Sequence, residues 1–373
     1  MKYYIIAGEA SGDLHGSNLM KALGKTDPEA QFRAWGGDRM KRQGAELVRH
    51  YKDLAFMGFI EVVMNLRTIL RNIAFCKKDI VDYQPDAVIL IDYPGFNLRI
   101  AGFAHRKGFP VFYYISPQVW AWKKSRVHKI KKFVTRMFVI LPFEKEFYRS
   151  FGYEVDFVGH PLLDEIGRFP MLEENEFRQE HGLDDKPLVA LLPGSRRQEI
   201  KVMLPLMLAC SGRFPGHTFV VAAAPSIDLS FYESLMEGSD VNLIRGQTYE
   251  LLAHAHAALI TSGTATLETA LFNVPEVVCY KGNPLSYRIA RMLVDRKFIR
   301  YISLVNLVMG REVVKELIQE QLTVQNLVRE LLAITEDQKN RQRMLRDYSD
   351  LREKLGASGA SEATAKLIIA HLR

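Results

Sequence analysis

The chain has 373 residues, 50 Lys and Arg against 43 Asp and Glu for a formal charge of +7, and 48% hydrophobic residues. That length predicts two domains of roughly 150–200 residues, each with ample core material. The three cysteines, Cys76, Cys210 and Cys279, share no C-x-x-C spacing, which excludes a disulfide framework and a structural zinc and points to a reducing compartment.

The N-terminus opens on a strand pattern, without the basic, apolar and small-residue order of a secretory leader. No window reaches the roughly 18 uninterrupted apolar residues that a membrane span needs. The first stretch, YYIIAGEASGDLHG (3–16), reads as a buried strand, a tight loop and a helix start. Its polar residues Glu9, Ser11, Gly12, Asp13 and His15 fall where an open α/β sheet binds its ligand.

Strand runs then alternate with helix-length segments through QFRAWGG, DAVILID, PVFYYIS, RMFVILP and VDFVGH. Short runs that are apolar on both faces predict a parallel sheet covered on two sides. In FMGFIEVVMNLRTILRN (56–72), Ile60, Val63, Leu66, Ile69 and Leu70 keep helical spacing, the ordinary signature of a core helix. Val62 and its neighbours add apolar surface all round that helix, beside arginines, which suits a surface that dips into lipid. Asp92 stands at the carboxyl end of a buried run, as a turn cap or as a general base. Its rivals for the base are Glu9, Asp13 and His15, because strand-end groups look alike in one dimension. The run WAWKKSRVHKIKKFVTR (120–136) carries seven Lys and Arg and no acid, which is either a solvated face or a surface for an anionic partner.

After a Glu-rich stretch near residues 160–185, a second series of strands follows: LVALLPGS, HTFVVAAAP, NLIRG, AALITSG and EVVCYKG. In LLPGSRRQE a strand ends in a Gly194–Ser195 turn before a helix bearing Arg196, an arrangement suited to a diphosphate. It lacks the GK[ST] ending of a Walker loop. In LITSGTATLETAL the small residues Ser262, Gly263 and Thr264 open a second such helix, and Glu268 is placed to accept the hydroxyls of a ribose. From Val313 onward the sequence reads as helical and charged, without strand runs. His254 and His256 stand two apart with no third ligand, so no metal site is expected.

The blocks AGEASGDLHG, MGFIEV, ISPQVWAWKKSRVHKI, LPFEKEFY, FVGHPLLD, LLPGSRRQEI, SGTATLE and GREVVKELIQE resemble the lipid-A-disaccharide synthase family, in order, over nearly the whole chain. The resemblance implies a family-19 glycosyltransferase of the GT-B fold, an α/β architecture of two Rossmann-like, doubly wound domains facing an interdomain cleft, with a helical C-terminal tail. The expected bounds are 1–165 for the acceptor and membrane-facing domain and 166–340 for the UDP-sugar domain. A tail, 341–373, either crosses back or swaps between subunits of a homodimer.

The implied reaction is inverting transfer of 2,3-diacylglucosamine from UDP-2,3-diacylglucosamine to the 6-hydroxyl of 2,3-diacylglucosamine 1-phosphate (lipid X). Asp92 matches the family's favoured base, although Gly95 stands where the family often has a second aspartate. Gly194, Ser195 and Arg196 match the diphosphate motif, and Ser262, Gly263, Thr264 and Glu268 the ribose region. Asn306 falls beside the nucleotide, with Val305 in place of the family's usual proline. No cofactor is expected, and the sequence contains no Asp-x-Asp motif. Residues 56–72 and the basic run imply a cytoplasmic enzyme peripheral on the inner membrane, in contact with anionic lipid and not nucleic acid, with Met203 extending the apolar edge. The alternative is another UDP-GlcNAc-dependent GT-B enzyme, a soluble transferase or a hydrolysing 2-epimerase, against which the apolar excess at 56–72 argues.

Overall fold

The computed structural model describes residues 1–53, 66–122, 124–282 and 300–373. They divide into two compact units, Met1–Asp164 with Leu355–Arg373, and Glu165–Lys354.

The first unit is built on β1 (Lys2–Ala7), β2 (Gln31–Gly36), β3 (Glu46–His50), β4 (Ala87–Ile91), β5 (Val111–Tyr114), β6 (Arg136–Val139) and β7 (Asp156–Phe157). All are parallel, in the order β3-β2-β1-β4-β5-β6-β7. The order reverses between β1 and β4, the switch point of a doubly wound sheet. Central strands β1, β4 and β5 are buried almost throughout, which is why they read as unbroken apolar runs. Their tyrosines are buried with hydroxyls satisfied. Tyr4 donates to Asp79 (2.6 Å) and accepts from Trp35 Nε1 (2.7 Å), while Tyr3 donates to Asp27 (3.2 Å).

The chain's last helix, Ala360–Leu372, belongs to this unit. Asp164 accepts the N–H groups of Gly359 (2.7 Å) and Ala360 (3.1 Å) at its start, and Ala365, Ile368 and Ile369 join the first core. The preceding helix, Gln338–Lys354, belongs to the second unit, and residue 341 lies inside it.

The second unit carries β8 (Leu188–Leu192), β9 (Thr218–Ala223), β10 (Asn242–Arg245), β11 (Ala255–Thr261), β12 (Glu276–Tyr280) and β13 (Lys315–Ile318), all parallel in the order β10-β9-β8-β11-β12-β13. It reverses between β8 and β11, so each unit has its own switch point. Strand β13 corrects the expectation of an all-helical stretch from Val313. Its sequence, KELI, is a four-residue edge strand whose buried Glu316 breaks the apolar pattern.

Of the residues expected to meet lipid, Ile60, Val62 and Val63 lie outside the described residues. The helix Leu66–Tyr83 begins at Leu66, with Ile69 half-buried, Leu70 55% exposed and Phe75 41% exposed. Met203 is a correction: it is buried in the core-facing side of the helix Arg197–Ser211, and its neighbour Val202 is the exposed apolar residue there. In the basic run, Lys129, Lys131 and Lys132 are exposed on the helix Arg126–Phe133, whereas Arg136 is held by Asp156 (2.6 and 3.1 Å).

Candidate active site

In the first unit, the turns after β1 and β4 meet at the switch point. Asp92 and Tyr93 are consecutive non-glycine residues in the left-handed region, with φ of 42° and 48°. Pro94 starts the helix Pro94–Arg106, and three hydrogen bonds hold this strained turn: Asn97 Nδ2 donates to the carbonyls of Ile91 (3.1 Å) and Asp92 (2.8 Å), and the Tyr113 hydroxyl donates to the Asp92 carbonyl. The Tyr93 ring lies against Gly8, where a Cβ would stand 2.3 Å from ring carbon Cγ. Burial, and then the charge of Glu9, raise the Asp92 carboxyl to about 6. A carboxylate so placed is ionised at neutral pH yet basic enough to accept a proton.

The other residues of the first loop separate into different roles. Glu9 and Ser11 are exposed, and Gly12 is packed against Ala7. Asp13 is corrected from a ligand-facing residue to a structural one. It is 3% exposed and accepts the N–H groups of Gly37 (2.7 Å), Arg39 (3.1 Å) and Met40 (3.1 Å), so it caps the short helix Asp38–Arg42. His15 is driven down to about 4 by burial, which keeps it neutral at pH 7 and a weak base, and its Nδ1 has no partner among the described residues. Its neighbour His160 is lowered to about 3 by burial and by His15; His160 Nδ1 accepts from the Leu162 N–H (3.2 Å), which places the ring proton on Nε2. Among these residues Asp92 is the carboxyl raised by burial on a braced turn.

In the second unit a cavity of about 250 Å³ opens at the carboxyl ends of β8, β9 and β11. Gly194, Ser195, Ser262, Gly263, Thr264 and Glu268 all line it, so both phosphate-type turns open on one space. Arg196 is the N-cap of Arg197–Ser211 and is 69% exposed beside it. Thr264 begins the helix Thr264–Leu271, whose free N–H groups face the same end of the sheet. Glu268 is raised by burial and accepts from the Tyr249 hydroxyl (3.2 Å).

Asn306 is placed otherwise than expected. It is fully buried; Nδ2 donates to Val314 O and Glu316 (both 2.9 Å), and Oδ1 accepts from the N–H groups of Val313 (2.7 Å) and Val314 (3.0 Å). Four bonds exhaust its side chain, which shapes the loop before β13 and has nothing left for a ligand.

Sequence reading missed Glu199 and Thr261. Glu199 lies three residues past the helix N-cap, a spacing that reads as ordinary capping, and Thr261 ends an apolar run. Among the described residues no group of three or more His, Cys, Asp or Glu side chains is placed to hold a metal ion, and no helix is long and apolar enough to cross a membrane.

Solved structures with this fold include a UDP-GlcNAc 2-epimerase from Neisseria meningitidis, 14% identical, with a TM-score of 0.67 over 100% of this chain and 99% of that one. Another is the calicheamicin glycosyltransferase CalG4, at 16% and 0.60, covering 100% and 98%. At such identities the likeness shows the fold, GT-B. Sequence relatives are closer. The lipid-A-disaccharide synthase of Syntrophus aciditrophicus is 44% identical over 98% of this chain and 96% of its own length. That of Geobacter metallireducens is 39% identical over 98% and 96%. The family model described as lipid-A-disaccharide synthetase matches residues 3–369, both units and the final helix included. A match of that extent, with relatives this similar end to end, decides between transferase and epimerase: the chain belongs to the lipid-A-disaccharide synthase family.

Proposed function

We propose that the chain is an inverting glycosyltransferase that joins UDP-2,3-diacylglucosamine to the 6-hydroxyl of 2,3-diacylglucosamine 1-phosphate, giving the β-1,6 tetraacyl disaccharide 1-phosphate and UDP. The observation that supports it most is Asp92, a carboxylate raised to about 6 on a turn locked at the sheet's switch point. Asp92 takes the proton of the acceptor 6-hydroxyl as its oxygen bonds the donor's anomeric carbon. The bond from that carbon to the diphosphate breaks on the opposite face, and its electron pair leaves with UDP. Arg196 and the free N–H groups of the two helix starts receive the charge that develops there, and Glu268 accepts the ribose hydroxyls.

The test is turnover of the two acyl sugars in detergent micelles with the product identified by mass. Stoichiometric disaccharide 1-phosphate and UDP are expected. UDP-GlcNAc consumed in place of the acylated donor would overturn the substrate assignment.

Four acyl chains require a lipid phase, so the enzyme works at the cytoplasmic face of the inner membrane in this reading. Exposed Leu70 and Phe75, the latter with the Arg49 guanidinium 5.6 Å from its ring centre, supply apolar contact, and Lys129, Lys131 and Lys132 attract anionic headgroups. In flotation with vesicles containing acidic lipid, Leu70→Ser/Phe75→Ser is expected to lower the partition coefficient about tenfold, the loss of two partly inserted side chains. Equal recovery of variant and wild type would remove this helix from the membrane contact.

A further inference from the structure

The turn after β8 holds an anion of the protein's own. Glu199 lines the cavity, and its carboxylate folds back onto the turn: Oε2 accepts the Ser195 N–H (3.3 Å) and Oε1 accepts from Arg196 Nη1 (3.0 Å). An N3 glutamate in an ordinary capping box bonds the N–H of the N-cap residue, here Arg196. Glu199 instead takes two donors that suit a diphosphate. The turn is shaped for it: Gly194 has a φ of +117°, and a Cβ there would stand 2.8 Å from Glu199 Oε2 and 2.9 Å from its Cβ. Only a residue without a side chain leaves room for the carboxylate. In the same cavity Thr261 is 6% exposed and its Oγ1 has no partner among the described residues, a polar group left for a ligand to satisfy.

We propose that Glu199 is a resident stand-in for the nucleotide's diphosphate: it holds the Ser195 N–H and Arg196 until a nucleoside diphosphate enters and displaces it, and it returns to speed the nucleotide's departure. The inference rests on the nucleotide reading of this cavity. A carboxylate that competes for the ligand's donors weakens binding of the ligand and of the product UDP alike, which favours release over retention. An anion that must be expelled also discriminates against singly charged ligands, which gain too little from the same donors.

The experiment is calorimetric titration of the full chain with UDP and, separately, with inorganic diphosphate, in wild type, Glu199→Gln, Glu199→Asp and Arg196→Ala. Glutamine keeps the shape and an acceptor for the Ser195 N–H but loses the charge, and is expected to bind UDP about five- to tenfold more tightly. Aspartate, one methylene shorter, withdraws from the turn and is expected to tighten binding by about threefold. Arg196→Ala is expected to weaken it about thirtyfold, the loss of a charge-assisted bond to phosphate. In steady state the UDP inhibition constant of Glu199→Gln falls with the dissociation constant, a readout that a merely structural cap leaves unmoved. If wild type binds UDP and both Glu199 variants bind it equally or more weakly, Glu199 is a helix cap and the stand-in is wrong. If wild type binds no UDP, the nucleotide reading itself fails, and this inference with it.

Discussion

Asp92→Asn is expected to lower kcat about a thousandfold while making the protein more stable at neutral pH, the loss matching removal of a general base. Asparagine keeps the shape and tolerates the left-handed backbone that Asp92 occupies at a φ of 42°. What it loses is the proton acceptor. The opposite sign for stability follows from the raised carboxyl, whose ordinary value of 3.8 is pushed to about 6 by burial and Glu9. The folded state holds that proton more tightly than the unfolded chain, so stability falls as pH climbs from about 4 to about 6 and stays lowered above. At pH 7.5 the ionised group costs about 2–3 kcal/mol, which asparagine recovers. Denaturant titration at pH 7.5 and pH 5 checks this, since the advantage of the variant shrinks toward the lower pH. The wild-type kcat/KM is expected to rise with pH and level off above about 6, an acid limb that glutamine or asparagine at position 92 abolishes. Full activity in Asp92→Asn would transfer the base to another group; a variant both inactive and destabilised would make Asp92 a structural cap.

That opposition of signs bears on how much of the site was legible in the sequence. Residues of the central strands were, because β1, β4, β5, β8 and β11 are buried on both faces and leave an uninterrupted apolar signal. Of the four edge strands, β7 and β10 were legible as short apolar runs and two were not: β3 is half exposed, and β13 buries Glu316 to hold the N–H groups of Ile302 and Ser303. The same limit applies to the side chains of the first loop. Glu9, Asp13, His15 and Asp92 are alike as letters at strand ends. What sorts them is contact with residues distant along the chain: Asp13 is used up by three backbone N–H groups at positions 37 to 40, and His15 faces His160. Asn306 shows the converse, a residue whose place beside a nucleotide is plausible until the partners of all four of its bonds are known. The Met203 expectation failed by a single position on a helix, about 100° of rotation, which exchanges the buried face for Val202 on the exposed one.

Gly8→Ala is expected to cost about 1–3 kcal/mol of stability and to lower kcat about a hundredfold, although residue 8 itself carries no reactive group. The added methyl would stand 2.3, 2.4 and 2.6 Å from Tyr93 Cγ, Cδ1 and Cδ2, the ring atoms nearest the backbone, so a rotation about the far end of the side chain gives no relief. Tyr93 cannot easily retreat, since its ring packs 5.8 Å from that of Phe96 and its own backbone is already at a φ of 48°. The displacement therefore passes to the adjoining residue, Asp92, whose carbonyl is held by Asn97 and Tyr113 and whose carboxylate is the proposed base for the acceptor hydroxyl. The chain of contacts gives a test within the same pair of loops. If the methyl acts through the ring, Tyr93→Ala in the Gly8→Ala background makes room and recovers the stability lost, measured by denaturant titration, while Tyr93→Ala alone gains nothing of the kind. Independent, additive effects of the two substitutions would show that Gly8 is required for some reason other than this contact. Recovery would show that the glycine opening the first loop serves the chemistry at one remove, by letting one aromatic ring brace the turn that carries the base.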